Sequence, residues 1–125
     1  MNFTLKTSKY AKEILTQIHS SSGITPNILI RYAVALSLKK NDPNNPIEPI
    51  MKDFPDGLVL NRSTVTGEYD YVFRAMITQA AGQELTDEEY FPSYFNAHLE
   101  RGIRALASEY KAAGNYEKFI RNLLI

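Results

Sequence analysis

Three lysines near the amino terminus have the type and spacing of a phosphate-binding patch. Lys9 and Lys12 are three residues apart, so they share one face of a helix. Lys6 precedes that helix, and Glu13 lies beside the lysines and opposes their charge. Ammonium groups in such a patch contact phosphate oxygens without reading bases. We therefore predict an electrostatic contact with a polyanion, with an affinity that falls steeply as salt rises.

A second pair of basic residues, Lys39 and Lys40, ends the next predicted helix. Two interpretations stay open, because these cations could extend the phosphate-binding patch or could offset the dipole at a helix C-terminus. The backbone amides of Asn27 and Ile28, at the N-terminus of the same helix, are a further possible phosphate contact. The full predicted set of phosphate-binding side chains is Lys6, Lys9, Lys12, Lys39 and Lys40.

The other groups that could do chemistry have a stronger structural explanation. Acidic residues lie at two predicted helix starts, where they complement the helix dipole: Glu68, Asp70, Asp87, Glu88 and Glu89. Neither His19 nor His98 has a second histidine at i+3 or i+4, so the sequence contains no helical zinc pair. Cysteine is absent, which excludes disulfides, thiolate metal sites and cysteine nucleophiles. We expect a protein that is not an enzyme and has no metal or cofactor.

Charge is distributed unevenly along the chain. Fourteen basic residues balance fourteen acidic ones, which excludes a uniformly basic protein that coats nucleic acid by bulk charge. Residues 1–40, however, carry six bases and one acid, a net +5, and residues 41–125 carry the compensating −5. This asymmetry suggests a polyanion-facing surface in the first third. Uneven charging of helix surfaces for solubility is the alternative.

The length and composition indicate one folded domain over residues 1–125. The 125 residues are 44% hydrophobic and 22% charged, as is ordinary for a domain that buries a core. No apolar run approaches the ~20 residues of a membrane helix, and no signal-peptide pattern opens the chain. We therefore expect a cytoplasmic protein with no membrane partner.

Hydrophobic periodicity predicts an all-α fold of about five or six helices, with one short strand at residues 3–6. Ser8 is expected to cap a helix that runs to about Ser20, and Gly23 to end it. Thr25-Pro26 begins a second, nearly all-apolar helix that reaches Leu38. Such a helix is predicted to lie centrally in the core or at a subunit interface.

The later elements are separated by prolines and glycines. Four prolines between Asn41 and Pro55 predict a long surface loop, and residues 58–60 are at best a short extended piece. The pattern then predicts a helix from Thr66 to about Ala81 and a capping box at residues 86–89. Pro92 is expected to split or restart the helix that follows, and the next helix is expected to reach about Ala113, with a short last helix after it. Gly102 inside a helix suggests close helix approach, such as one between subunits.

The first third of the chain resembles a ribbon-helix-helix DNA-binding module. The order is a short strand, a helix, Gly23-Ile24-Thr25, and a second helix that includes residues 29–34. The resemblance implies a dimer that pairs its strands and reads bases in the major groove, with Thr4 and Lys6 as the outward strand residues. More than eighty further residues have no place in such a minimal module.

A second resemblance covers nearly the whole chain and rests on four ordered blocks. These blocks are Gly23-Ile24-Thr25-Pro26-Asn27-Ile28-Leu29 with Arg31, then Leu36-Ser37-Leu38-Lys39, then Asn61-Arg62-Ser63-Thr64 leading to Gly67-Glu68-Tyr69-Asp70, and finally Ala97-His98-Leu99-Glu100-Arg101-Gly102-Ile103. In order and spacing they resemble DndE, the small subunit of the bacterial DNA phosphorothioation system. The chain departs from the family in a longer proline-bearing loop after Lys40 and an extra C-terminal helix from Asn115.

The DndE resemblance implies a helical homotetramer that binds DNA, with a preference for nicked duplex, through surface lysines. It also implies partner subunits, DndC-like and DndD-like, that replace a non-bridging phosphate oxygen by sulfur. The lysines that would carry this over are Lys6, Lys9, Lys12 and Lys39. Asn61, Arg62 and residues 68–70 of the matched blocks are expected to form a polar network that fixes a loop.

Two alternatives to a DNA-binding subunit of the sulfur-modification machinery stay open at the level of sequence. One is a ribbon-helix-helix repressor that binds a specific operator. The other is a structural adaptor without DNA affinity, whose basic third would face an acidic partner. Binding to random and nicked duplexes would separate the three.

Overall fold

The computed structural model describes residues 3–123, which form six α-helices and one two-stranded ribbon. The elements are β1 (Thr4–Lys6), α1 (Lys9–Ser22), α2 (Pro26–Lys39), β2 (Val59–Asn61), α3 (Arg62–Val65), α4 (Asp70–Ala81), α5 (Asn96–Ala113) and α6 (Tyr116–Leu123). A 3₁₀ turn at Gly67–Tyr69 precedes α4, and a π-helical segment at Glu89–Phe95 leads into α5. The predicted helical class with a short N-terminal strand is confirmed. Among residues 3–123, no helix is long and apolar enough to span a membrane.

Helix α1 begins and ends at the residues that its sequence predicts. The Ser8 hydroxyl oxygen accepts a hydrogen bond from the Ala11 amide at 3.0 Å, and Gly23 closes the helix with a φ of 77°. One face is buried against the core through Ala11, Ile14, Leu15 and Ile18. The opposite face is therefore left to carry the lysines in solvent.

The contact between α2 and α5 forms the centre of the core. Leu29, Ile30, Ala33 and Val34 of α2 are fully buried. A Cβ on Gly102 of α5 would lie only 1.8 Å from the Ala33 carbonyl oxygen, so only glycine fits there. The close helix approach that Gly102 predicts is thus present, and it joins two helices of one chain.

The N-terminal strand pairs within the chain. β1 and β2 are antiparallel, with Leu5 opposite Leu60. Both side chains are buried, so the ribbon is anchored on the core through its middle pair. A ribbon-helix-helix module would use this strand to pair across a dimer, whereas here β2 occupies one of its edges.

Thr7 continues the ribbon and fastens the end of the long loop to it. The Thr7 amide donates to the Leu58 carbonyl, and the Leu58 amide donates to the Thr7 hydroxyl, both at 2.9 Å. A Cβ on Gly57 would lie 1.5 Å from the Thr7 carbonyl oxygen. The loop end is consequently packed backbone against backbone, which fixes residues 55–57 beside the start of α1.

The helix predicted from Thr66 begins four residues later, at Asp70. Residues 62–65 form the separate short helix α3, and α4 begins only at Asp70. Gly67 has a φ of 52°, a left-handed conformation that does not continue a right-handed helix. Apolar periodicity alone could not show this later start. Phe73 is buried in either case, whether its helix begins at Thr66 or at Asp70.

Pro92 neither splits nor restarts the helix, contrary to the sequence-based prediction. The backbone passes through it in the π-helical segment and continues directly into α5. Proline has no amide hydrogen to donate, so in an α-helix it removes one backbone hydrogen bond. The wider turn of a π-helix accommodates this loss. The capping box before it is confirmed, since the Thr86 amide donates to Glu89 Oε1 at 2.9 Å and the Glu89 amide donates to Thr86 Oγ1 at 3.2 Å.

The last helix packs on α5 through Phe119, which is fully buried and meets the Tyr110 ring edge-on with centroids 5.2 Å apart. Gly114 separates the two helices with a φ of 77°. The short last helix is confirmed. The side chains of Tyr116 and Leu123, which its apolar pattern includes, lie outside the described residues.

Candidate polyanion-binding groove

Lys6, Lys9 and Lys12 line one open surface groove of about 880 Å³. The structure thus brings together the three N-terminal lysines that the sequence singles out. The remaining lining residues are Glu13, Thr16, Gln17, Pro55, Asp56 and Gly57. Its volume lies within the range of ligand-binding clefts.

Two walls of the groove come from distant parts of the chain. One wall is the solvent face of α1, where Lys9, Lys12 and Thr16 follow helical spacing opposite the buried stripe. Lys6 extends this wall from the end of β1. The other wall is the loop end at residues 55–57, which Thr7 holds in place. Sequence spacing predicts the first wall but contains no signal for the second.

The groove lysines are not neutralised by ion pairs within the described part of the chain. Lys9 and Lys12 are exposed, and none of the four salt bridges among residues 3–123 involves a groove lysine. Two carboxylates, Glu13 and Asp56, nevertheless line the same groove. The groove therefore has a formal charge of +1, concentrated on the α1 wall.

The anion site at the N-terminus of α1 is already filled from within the protein. Glu100 of α5 is 7% exposed, and its carboxylate accepts hydrogen bonds from the Ser8 amide at 3.1 Å and the Ser8 hydroxyl at 2.5 Å. A carboxylate in this position also complements the helix dipole. The positive charge that the groove offers a phosphate therefore comes from the lysine side chains. Sequence reasoning missed this role of Glu100, because its partner lies 92 residues away.

Lys39 and Lys40 are exposed at the end of α2, and neither is among the residues that line the groove. The Lys40 amide donates to the Ser37 carbonyl at 3.1 Å and so closes the last turn. Asn27 and Ile28, whose amides were a further candidate, do not line the groove either. The structure therefore groups three of the five predicted lysines, and a role in binding for Lys39 and Lys40 stays a prediction.

Two of the five acidic candidates, Asp70 and Asp87, are engaged in a structural network with two arginines. Arg62 pairs with Asp70 at 2.6 Å and with Asp87 at 2.9 Å, and Arg74 also pairs with Asp87. Burial raises the pKa of Asp70, but hydrogen bonds from Arg62 and Thr66 outweigh it and leave that pKa below its usual value. The predicted network is confirmed for Arg62 and Asp70. Among the described residues, no three acidic or histidine side chains converge as metal ligands would.

His98 is a buried packing residue at the contact of α2 and α5. Its Nδ1 is hydrogen-bonded to the Ser37 hydroxyl at 2.8 Å, and the Arg101 guanidinium donates to the same hydroxyl at 2.8 Å. Burial, reinforced by the charge of Arg101, lowers the pKa of His98 to about 4. The imidazole is therefore neutral at ordinary pH and serves to join the two helices.

Comparison with known proteins assigns this architecture to a family. Residues 4–114 match the family described as "DNA sulphur modification protein DndE". The crystal structure of DndE from Escherichia coli B7A, described as involved in DNA phosphorothioation modification, is 26% identical. The match covers 82% of this chain and 94% of that one, with a TM-score of 0.59.

A crystal structure of a DndE G21/24K mutant shares the fold at 24% identity and a TM-score of 0.60. That match covers 84% of this chain and 96% of the other. No match was found among curated proteins. Because the family match extends over β1, the groove lysines and the α2–α5 core, the chain belongs to the DndE family of DNA phosphorothioation proteins.

Proposed function

We propose that this protein is a non-catalytic DNA-binding subunit of the phosphorothioation machinery, which contacts the duplex backbone through the lysine groove. One observation carries the proposal. In a member of the DndE family, three lysines without internal ion pairs among the described residues line a single groove. Ammonium groups that the fold leaves unpaired release counterions when they meet phosphates, and this release drives binding.

The chemistry of the groove fits contact with the backbone better than base reading. Its donors are flexible ammonium groups, which act as point charges towards phosphate oxygens. Three phosphate contacts correspond to a slope of about −2.7 in a plot of log affinity against log salt. Such a protein binds DNA of any sequence. A subunit that recognises a feature of the backbone, such as a nick, needs this property.

The proposal assigns sulfur transfer to the partner subunits, DndC-like and DndD-like. This chain contains no cysteine, so it has no thiol on which to carry a persulfide. Its part would be to hold the duplex, with nicked DNA as the expected preferred form, while a partner modifies the phosphate. We expect this to take place in the cytoplasm.

The test is a binding series with the full chain on nicked, intact and single-stranded DNA of one sequence. The charge-reversed pair Lys9→Glu and Lys12→Glu should lose about tenfold or more in affinity at low salt. The matched control is Lys111→Glu with Lys118→Glu, which makes the same charge change at two exposed residues outside the groove. Failure of the wild-type chain to bind at low salt, or equal losses in both pairs, would contradict the proposal. A selection from random duplexes that returns one operator would instead favour a repressor.

Lys39 and Lys40 need a separate test, because they could act on DNA or on the helix end. The double change Lys39→Gln with Lys40→Gln should lower DNA affinity if these side chains extend the binding surface. If they only offset the dipole of α2, the same change should lower stability by about 0.5–1 kcal/mol and leave DNA affinity intact.

We also propose that the protein assembles as a homotetramer. α2 is mostly covered by its own core, but apolar side chains stay exposed on it and on the neighbouring segment: Ile28 at 43%, Tyr69 at 49%, Val72 at 36% and Met76 at 38%. The Arg31 guanidinium lies over the Tyr69 ring at 5.5 Å and connects the two parts of this surface. Apolar surface of this kind favours a subunit interface.

The mass of the assembly at micromolar concentration tests the tetramer directly. Val72→Asp with Met76→Asp should dissociate it, because both changes place charges on the exposed apolar face of α4. Lys118→Asp serves as a surface control. A strictly monomeric wild-type protein would overturn the proposal.

A further inference from the structure

The second wall of the groove carries a negative charge that sequence reasoning did not anticipate. Asp56 lines the groove opposite the solvent face of α1. We propose that Asp56 is a specificity-determining residue, which confines a bound phosphate to the α1 wall and lowers the affinity of the groove for polyanions in general. This inference rests on the proposed DNA-binding function and concerns the same groove.

The position of Asp56 is fixed by the fold. The next residue, Gly57, packs directly on the Thr7 carbonyl, where no side chain could fit. Leu58 is then hydrogen-bonded to both the backbone and the hydroxyl of Thr7, which is fully buried. These contacts hold the backbone directly after Asp56, so the loop end cannot carry its exposed carboxylate far from the groove.

The charge of Asp56 also stays available to act on a ligand. It forms no salt bridge with any of the residues 3–123, although three lysines line the same groove. Opposite charges in solvent attract weakly across a groove and are screened by salt. A phosphate that enters is attracted by Lys6, Lys9 and Lys12, which Glu13 opposes on the same wall, and is repelled by Asp56 on the other wall.

Two consequences follow for binding. A DNA strand should run along α1, with its phosphates away from residues 55–57. The groove should also bind less tightly, and with a shallower salt dependence, than three lysines alone would. The acidic wall thus limits indiscriminate attachment to DNA while leaving the lysine contacts in place.

The experiment compares isosteric neutral variants of the full chain on the same nicked and intact duplexes. Asp56→Asn should raise affinity about two- to fivefold at low salt, and the gain should shrink as salt rises. The matched control is Asp53→Asn, which removes an equal exposed charge from the same loop outside the groove lining. Asp56→Glu retains the charge and should keep wild-type affinity. Thermal melting of each variant confirms that the loop end is still folded.

The outcomes separate this inference from the proposed function. If Asp56→Asn binds no better than Asp53→Asn, or if its gain persists at high salt, Asp56 does not act electrostatically and the inference is wrong. The loss in the Lys9→Glu and Lys12→Glu pair would still support the function in that case. If neither the wild type nor Asp56→Asn binds DNA at low salt, both proposals are overturned.

Discussion

The contact between α2 and α5 and the lysine groove use polar groups in opposite ways. At the helix contact, Ser37 is bound by both His98 and Arg101, and a glycine lets the two backbones touch. In the groove, three lysines face solvent without ion pairs among the described residues. A polar group that is satisfied internally stabilises the fold, whereas one left unpaired is available to a partner. Changes at the first region should therefore affect stability, and changes at the second should affect binding.

The largest effect is expected at Gly102. Gly102→Ala should destabilise the protein by about 3 kcal/mol or more, because its Cβ would overlap the backbone of α2. Helix propensity alone predicts the opposite, a stabilisation of about 1 kcal/mol. The sign of the change in stability therefore shows whether the close helix contact exists. Urea denaturation measures it. Gly114→Ala is the control, since open space surrounds that position and only its positive φ is strained, at about 1 kcal/mol.

His98 should make the helix contact sensitive to acid. Its pKa is about 4 in the folded protein and 6.5 when unfolded, so the unfolded chain takes up the proton first as the pH falls. The contribution of His98 to the free energy of unfolding should be fully present above pH 6.5. It should decrease by about 2–3 kcal/mol by pH 4. Denaturation at several pH values tests this. His98→Gln should lose this pH dependence, whereas the control His19→Gln should retain it. An equally steep decrease in stability in His98→Gln would contradict the assignment.

The Arg62–Asp70 pair should have an intermediate effect. Asp70→Asn should cost about 1–2 kcal/mol, less than a fully buried pair, because 24% of the Asp70 side chain is still exposed. Since the folded pKa of Asp70 is lowered, its stabilisation is present above pH 3.8 and is lost as the pH falls below that value. Denaturation near pH 3 and at pH 7 checks both points. Glu68→Gln, at an exposed neighbour outside the network, should change neither quantity.

The smallest change in stability is expected in the groove. Lys9→Gln should alter the free energy of unfolding by less than about 0.5 kcal/mol, because the side chain is exposed. Its DNA affinity should fall a few-fold, and the salt slope should decrease by about 1. Lys118→Gln is the matched control for both measurements. A large loss of stability in Lys9→Gln would remove the distinction between the two regions.

Local signals predict a large part of this fold. Ser8 and Gly23 fix the ends of α1 through backbone preferences and hydrogen bonds between near neighbours. The buried stripe of α1 also predicts that Lys9 and Lys12 share the opposite face. Gly102 predicts a close helix contact, although only the fold shows that Ala33 of the same chain makes it.

Long-range contacts account for what the sequence does not predict. Nothing near Asp56 indicates that Thr7 draws the loop end to the start of α1, because the two segments are far apart in the chain. The same holds for the Glu100 carboxylate at Ser8. The break before α4 was missed for another reason, since the positive φ of Gly67 leaves no trace in the apolar pattern.

The ribbon of β1 and β2 has a kinetic consequence. It joins segments separated by α1, α2 and the long loop, and closing so long a segment costs chain entropy before the contact is gained. Helices α1 and α2 need only local contacts, so we expect them to form first. In that order the lysine face of α1 exists before the wall that carries Asp56, and the groove reaches its final charge only in the last steps of folding.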